Sequence, residues 1–254
     1  MQRILVFTPA FVSKVEHLGM LRVQALLAAR MRAKGLNVIS ALVCDYVADE
    51  FVSPVAEVGR LFDVSIPALP KLFPGNDQWG IRRPTNFAIQ ELVEDCGFIL
   101  RVIQDTFVER ADRFCDSLAA ALETPGHWVA ANLHHWETSG HGWLCDLMGL
   151  PFATHLTYPN GAVMMAPANT WRRFYLPLPS AIHHHWDDVM MGEWLKQEGG
   201  TLIDLDLSWT HLHDCPAEVS RECYLRHLQE TSGLAGRQPD RPAALPWSLP
   251  PLEC

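Results

Sequence analysis

The sequence predicts an α/β domain: a mixed, mostly parallel central sheet with helices on both faces. Two observations carry this expectation. Short apolar runs rich in β-branched residues alternate with stretches whose apolar residues recur at helical spacing. A chain of 254 residues, 48% hydrophobic and 19% charged, can also bury a large core without metals or disulfides. No internal repeat breaks the alternation, and no apolar run approaches the roughly 18 residues that span a bilayer.

Residues Arg3 to Thr8 form an apolar run that halts at Pro9, as a buried strand does where it meets a loop. Val23, Leu26, Leu27 and Met31 then step at helical spacing, and Gly35 closes that helix before a second run, Val38 to Val43. Strand, helix, strand in this order implies parallel strands joined by right-handed crossovers, with ligands gathering at their carboxyl ends. A loop bearing Pro and Gly near 70–80 precedes a helix with Ile89, Leu92, Val93 and Cys96 on one stripe. Phe98 to Ile103 is the next strand, Phe114, Leu118, Ala121 and Leu122 mark the next helix, and Trp128 to Ala131 is a strand after Pro125-Gly126. Residues 132–160 carry His134, His135, Trp136, His141 and Trp143 among glycines, and are expected to form a binding loop. Ala162 to Met165 reads as a strand, Asp187 to Glu198 as a helix, and Thr201 to Trp209 as a final strand. Residues 1–234 are expected to make one domain, and 235–254, with five prolines, an extended or disordered tail.

Several function classes lose their signals at this level. A balance of 20 Lys+Arg against 29 Asp+Glu, net −9, argues against an extended phosphate-tracking surface. There is no GxGxxG after the first strand and no GxxxxGK[ST] anywhere, so dinucleotide and P-loop chemistries have no anchor. Seven cysteines without a CxxC pair suit reduced thiols, and the residues from Met1 to Cys44 read as folded structure, so a cytoplasmic location is expected.

What stands at the strand ends is acidic or polar: Thr8-Pro9, Cys44-Asp45 and Gln104-Asp105-Thr106. One carboxylate there can accept from a base or ribose, and another can hold a divalent cation against a pyrophosphate. Asp187-Asp188 opens a helix whose positive N-terminal end is expected to favour the ionised form that a general base requires. His211 and His213 alternate at the end of the last strand, whereas consecutive His183, His184 and His185 diverge and show no ligand spacing. Trp79, His134, His135, Trp136, Trp143 and Trp171 offer flat faces for a sugar or base, although core packing accounts for most tryptophans.

The order of these segments resembles the GT-A glycosyltransferases of the family 2 type, over roughly residues 3–213. The likeness rests on Ile4 to Pro9, Val43-Cys44-Asp45, Asn76 through Gly80 to Ile89, Ile99 to Thr106, and Asn160 to Met164 followed by Trp186-Asp187-Asp188 and His211. It implies a Rossmann-like fold and transfer of a sugar from a nucleoside-diphosphate sugar. Asp45 would bind the nucleobase with Thr8 and Pro9 nearby, and Asn76, Gly80 and Asn86 would be framework or donor-side residues, with a plain helix-start role equally open for Asn86. Arg82 and Arg83 would face the diphosphate or simply the solvent. The family's DXD motif is half lost: Asp105 takes the place of the metal-binding aspartate, but Ile103 stands where the first acid belongs. One carboxylate with the donor's phosphates still suffices for Mn²⁺ or Mg²⁺, and His211 would add a metal or diphosphate contact. Asp188 would be the base, Asp187 would orient the acceptor, and Gly161 would let backbone approach the donor sugar.

The resemblance therefore implies an inverting single displacement onto an acceptor hydroxyl, with a small molecule or glycan favoured over a modified nucleic-acid base. Two rivals remain open. A nucleotidyltransferase on a related sheet would need a glycine-rich basic loop where Pro9 to Val12 stand, and a non-catalytic binding protein would account for the acid missing at Ile103.

Overall fold

The computed structural model describes residues 2–69, 81–137, 155–177, 187–207 and 209–211. Its strands are β1 (Ile4–Val12), β2 (Val38–Val47), β3 (Val64–Ile66), β4 (Phe98–Val102), β5 (Thr106–Val108), β6 (Trp128–Glu137), β7 (His155–Pro167), β8 (Thr201–Asp204) and β9 (Trp209–His211). Helices α1 (Val15–Ala33), α2 (Val52–Gly59), α3 (Arg82–Glu91) and α4 (Ala111–Ala121) are followed by helices Ala168–Tyr175 and Asp187–Gln197. Seven strands form one sheet in the order β3-β2-β1-β4-β7-β6-β8, and β5 pairs with β9 in a separate ribbon. Strands β3, β2, β1 and β4 run parallel, β7 is antiparallel to both its neighbours, and β8 is parallel to β6.

The period-two alternation of β1 divides the core. Leu5 and Phe7 join Ile99, Met164 and Ala166 beneath Ile89, Trp171, Phe174, Met190 and Leu195. Ile4 and Val6 turn to the opposite face, where Leu100, Val102 and Met165 meet Leu27, Met31, Phe114 and Leu118. With both faces covered, the central strands need near-continuous apolar runs, which is why they were legible. Among the described residues no helix is long and apolar enough to cross a membrane. The described cysteines Cys44, Cys96 and Cys115 are free and buried, and burial, reinforced by Asp45, pushes the Cys44 thiol up to about 12.

Several expected boundaries move. β1 does not stop at Pro9 but runs on to Val12, so Thr8 and Pro9 are buried within the strand rather than at its end. The reason lies next door: β4 pairs with β1 only as far as Phe7, so Pro9 faces no ladder partner on that side and its missing N–H costs nothing. Asp45 likewise falls inside β2, as the extra residue where the register jumps from Ala10↔Cys44 to Phe11↔Tyr46. Asn86 sits in the interior of α3, not at its start. Residues 132–137 and 155–160, expected in a loop, are strand, and the expected strand Thr201–Trp209 divides into β8 and β9 in different sheets. Helix Ala168–Tyr175 was not foreseen; it buries Trp171 completely, so this tryptophan is core. The tail 235–254 lies outside the described residues.

Candidate active site

A bulge in β7 organises the site. Between the pairs Ala131↔Met164 and Leu133↔Pro159, β6 advances two residues while β7 advances five. The displaced backbone of Gly161 is taken up by side chains: its N–H donates to Asp188 Oδ2 at 3.1 Å, and its carbonyl accepts from Arg101 Nε at 3.2 Å. Bulges of this kind re-aim groups beside functional sites. Glycine suits this close approach: a Cβ here would lie 3.0 Å from Arg101 Nη2 and 3.2 Å from Asp188 Oδ2, so both hydrogen-bonded side chains would have to give way. Gly161→Ala is therefore expected to cost about 1–3 kcal/mol, the scale of overpacking, read as a lowered urea midpoint at unchanged slope.

Asp187 and Asp188, adjacent at a helix start, have different environments. Asp187 is buried and paired with Arg101 Nη1 at 2.7 Å. Arg101 is itself buried on β4, 5.4 Å from the Trp171 ring centre and 5.9 Å from that of Tyr175, whose hydroxyl lies 3.4 Å from Nη1. Asp187 is thus committed to a structural ion pair, which opposes its expected role of orienting an acceptor. Burial and the nearby Asp187 push the Tyr175 phenol up.

Among the described residues Asp188 has no such ion pair of its own. Its oxygens accept from the backbone N–H groups of Val189, at 2.7 Å, and Gly161, yet the residue keeps a partly exposed edge. Its carboxyl is pushed up to about 8, first by burial and next by Asp187, against the pull of those two N–H groups and Arg101. The helix start does supply N–H donors, but desolvation outweighs them, so the ionised form is less favoured than the sequence implied. Arg101 is the residue beside the candidate site that sequence inspection does not find; a lone arginine within the apolar run Ile99 to Ile103 is the available signal, since a buried charge requires a partner.

The other candidate acid lies across one hydrogen bond. Ile103 N–H donates to the Ala162 carbonyl at 2.9 Å, joining the turn that carries Asp105 to the bulge that carries Gly161. The β5–β9 register pairs Thr106 with His211, so the backbone of His211 lies beside the residue that follows Asp105. Among the described residues no three His, Cys, Asp or Glu side chains cluster. The single Asp105 carboxylate suits a Mn²⁺ or Mg²⁺ that takes most of its ligands from a diphosphate and water, and does not suit a cation held by protein alone.

At the β1 and β2 ends, Asp45 Oδ1 lies 2.8 Å from Arg83 Nη1, so Arg83 is not simply a solvent-facing residue. Beside it Phe11 and Tyr46 stack at 4.8 Å, and Tyr46 is 46% exposed, leaving an aromatic face open at the strand ends. The Asn86 side-chain oxygen is buried with no hydrogen-bond partner among the described residues. Asn76, Gly80, His183, His184, His185 and Trp186 lie outside the described residues, as does His213.

No protein-family model matches the chain, nor does any curated protein sequence. Among solved structures it is similar to glucosyl-3-phosphoglycerate synthase from Mycobacterium tuberculosis in complex with Mn²⁺, UDP and phosphoglyceric acid, at 11% identity and a TM-score of 0.50, over 92% of this chain and 79% of that one. It is also similar to a Bacillus anthracis protein bearing the name glucose-1-phosphate thymidylyltransferase, at 9% identity and a TM-score of 0.50, over 89% of this chain and 95% of that one. At these identities the likeness establishes the fold: a GT-A, Rossmann-like arrangement shared by glycosyltransferases and sugar nucleotidyltransferases.

Proposed function

We propose that this protein is a nucleotide-sugar-dependent glycosyltransferase that moves a glycosyl group from a nucleoside diphosphate to an acceptor hydroxyl with inversion. The observation that carries this is the placement of a partly exposed Asp188, without an ion-pair partner among the described residues, and the Asp105 turn on either side of the Ile103–Ala162 hydrogen bond. A base and a diphosphate site must lie side by side for a single in-line displacement. Asp188, held by two backbone N–H groups, takes the proton of the acceptor oxygen as that oxygen forms its bond to the anomeric carbon. Asp105, with His211, would hold the divalent cation, which when bound neutralises the charge growing on the departing diphosphate. The stacked Phe11 and Tyr46 rings offer a platform for the base, with Asp45 beside them. Arg101 and Tyr175 keep Asp187 out of the reaction.

A nucleotidyltransferase reading is supported by the same fold, but β1 continues as paired strand through Ala10 and Phe11, where such chemistry would place a phosphate-wrapping loop.

Calorimetric titration with UDP, GDP, ADP, CDP and dTDP, each with Mn²⁺ and with chelator, tests the donor site, and NMR of the anomeric product from the matching nucleotide sugar tests inversion. Metal-dependent binding with slow donor hydrolysis supports the proposal. Binding without any turnover points to a carrier, and nucleoside triphosphate consumption to nucleotidyl transfer. In the same titration Asp45→Ala is expected to weaken nucleotide binding about tenfold with metal and with chelator alike, the worth of one charge-assisted contact. A loss seen only with metal would move Asp45 to the cation.

A further inference from the structure

The turn at Ile103–Thr106 is closed by Thr106 N–H donating to the Ile103 carbonyl at 3.0 Å, and it carries the only acid left of the motif that Ile103 interrupts. Two glutamine amides hold it. Gln24 Nε2 donates to the carbonyls of Gln104 and Thr106, at 3.1 and 2.6 Å, which are the residues on either side of Asp105. Gln104 in turn lies against β1: Phe11 N–H donates to its Oε1 at 2.8 Å, and its Nε2 donates to the Phe11 carbonyl at 3.0 Å. That pair of bonds imitates a strand pairing at the point where β4 has already left β1.

Neither amide is explained by packing. Gln24 is 2% exposed on the inward face of α1, among Leu21, Val23, Leu27 and Ala28, where an apolar residue of the same length would fill the space. Its Oε1 is buried without a hydrogen-bond partner among the described residues, so the helix tolerates an unsatisfied acceptor to place the two donors. Both donors go to the Asp105 turn. A site with two carboxylates can share the task of fixing a cation; one with a single carboxylate needs that carboxylate held in place by what surrounds it.

We propose that Gln24 and Gln104 are positioning residues that fix the Asp105 carboxylate for a divalent cation and tie it to the nucleoside end of the donor through Phe11, taking over the orienting work of the acid that Ile103 replaces. This rests on Asp105 holding the cation, as proposed above. The Gln24 half of the clamp touches only the backbone of the turn, so its removal loosens the metal site without touching the base platform, whereas removing Gln104 also frees the backbone of Phe11.

The test uses the full chain, Mn²⁺, and whichever of UDP, GDP, ADP, CDP or dTDP binds it most tightly. Calorimetry gives the gain in nucleotide affinity on adding Mn²⁺, and hydrogen exchange of a peptide covering 103–108 reports the turn. Gln24→Met and Gln104→Met are each expected to cut the Mn²⁺-dependent gain by about 10-fold or more, the scale for residues that orient metal ligands. For Gln24→Met affinity with chelator should stay within about twofold, and in both variants exchange should accelerate at 103–108 and not across the central strands, a local pattern that a general loss of stability does not give. Gln104 is only partly buried, so its variant keeps the test open if Gln24→Met does not fold. A wild-type chain with no Mn²⁺-dependent gain would overturn the metal reading itself. A wild-type gain that both folded variants retain would overturn the clamp alone.

Discussion

Asp188→Asn is expected to lower glycosyl transfer by about 10² or more while leaving the fold and nucleotide affinity in place, since a positioned general base contributes on that scale. The amide keeps the shape and its one oxygen can still accept from the Val189 or the Gly161 N–H, which reach different carboxylate oxygens, but it cannot take a proton. The pH dependence has a definite sign. A base held up at about 8 is protonated at neutral pH, so turnover should rise with pH through that value and level off above it. Stability runs the other way. The folded carboxyl binds its proton more tightly than the unfolded one, whose ordinary value is 3.8, so wild-type stability should fall as pH rises between about 4 and about 8. Asp188→Asn should flatten that slope. Urea midpoints measured across the range, beside the pH–rate profile, check both halves. If Asp188→Asn keeps near-normal turnover while Asp187→Asn abolishes it, the base has been placed on the wrong residue, and if both variants stay active the helix start is not catalytic.

Much of the scaffold was legible because its strands are covered on both faces. Ile4 to Phe7 are apolar on every residue, and Val38 to Val43 and Phe98 to Val102 are apolar but for Ser40 and Arg101, and runs of that kind show in a single sequence. The ends were not legible, because a strand's length depends on its neighbour. Pro9 reads as a stop until β4 is seen to leave at Phe7. Residues 132–137 fail for a related reason: among the described residues β6 beyond Ala131 pairs with β7 on one side alone, and with Asn132 and Leu133 half-buried and His134 exposed its first residues show no alternation between a buried and an exposed face. Helix Ala168–Tyr175 did leave a trace, with Pro167 before its start and Trp171, Phe174 and Tyr175 on one side at helical spacing, but its eight residues are close to the shortest such pattern that can be recognised.

The site was legible as a set of acids and not as a division of labour. Asp187 and Asp188 carry the same functional group one residue apart, and what distinguishes them is Arg101, which the chain supplies from a strand eighty-six residues earlier. The direction of Asp188's proton affinity was misjudged for the same reason: helix-end donors are local and can be read, whereas desolvation is a property of the assembled interior. Gly161 was singled out as a place of close approach, and it is one, but among the described residues what approaches its Cβ position is Arg101 and Asp188.

The largest stability effect is expected at Arg101. With its side chain 1% exposed and that of Asp187 3%, the pair is a buried ion pair, and such pairs contribute little compared with apolar residues yet cost a great deal to break. Arg101→Met keeps the length and the contact with Trp171 but leaves Asp187 without its cation. The loss should be about 3–5 kcal/mol, a large share of the roughly 5–15 kcal/mol that holds a typical domain together. Adding Asp187→Leu should restore most of it, because the double variant has no buried charge to compensate. The two effects on Asp188 can be separated from stability. Arg101 favours the ionised form of Asp188, so its removal should move the rising limb of the pH–rate profile to higher pH, whereas removing Asp187 as well takes away the neighbouring negative charge and should move it back down. Urea denaturation of the two variants, with pH–rate profiles on whichever of them folds, measures both. A single variant as stable as wild type would mean that Asp187 finds another cation, and a double variant no more stable than the single would place the damage in the packing around Trp171 and Tyr175 rather than in the unpaired carboxylate.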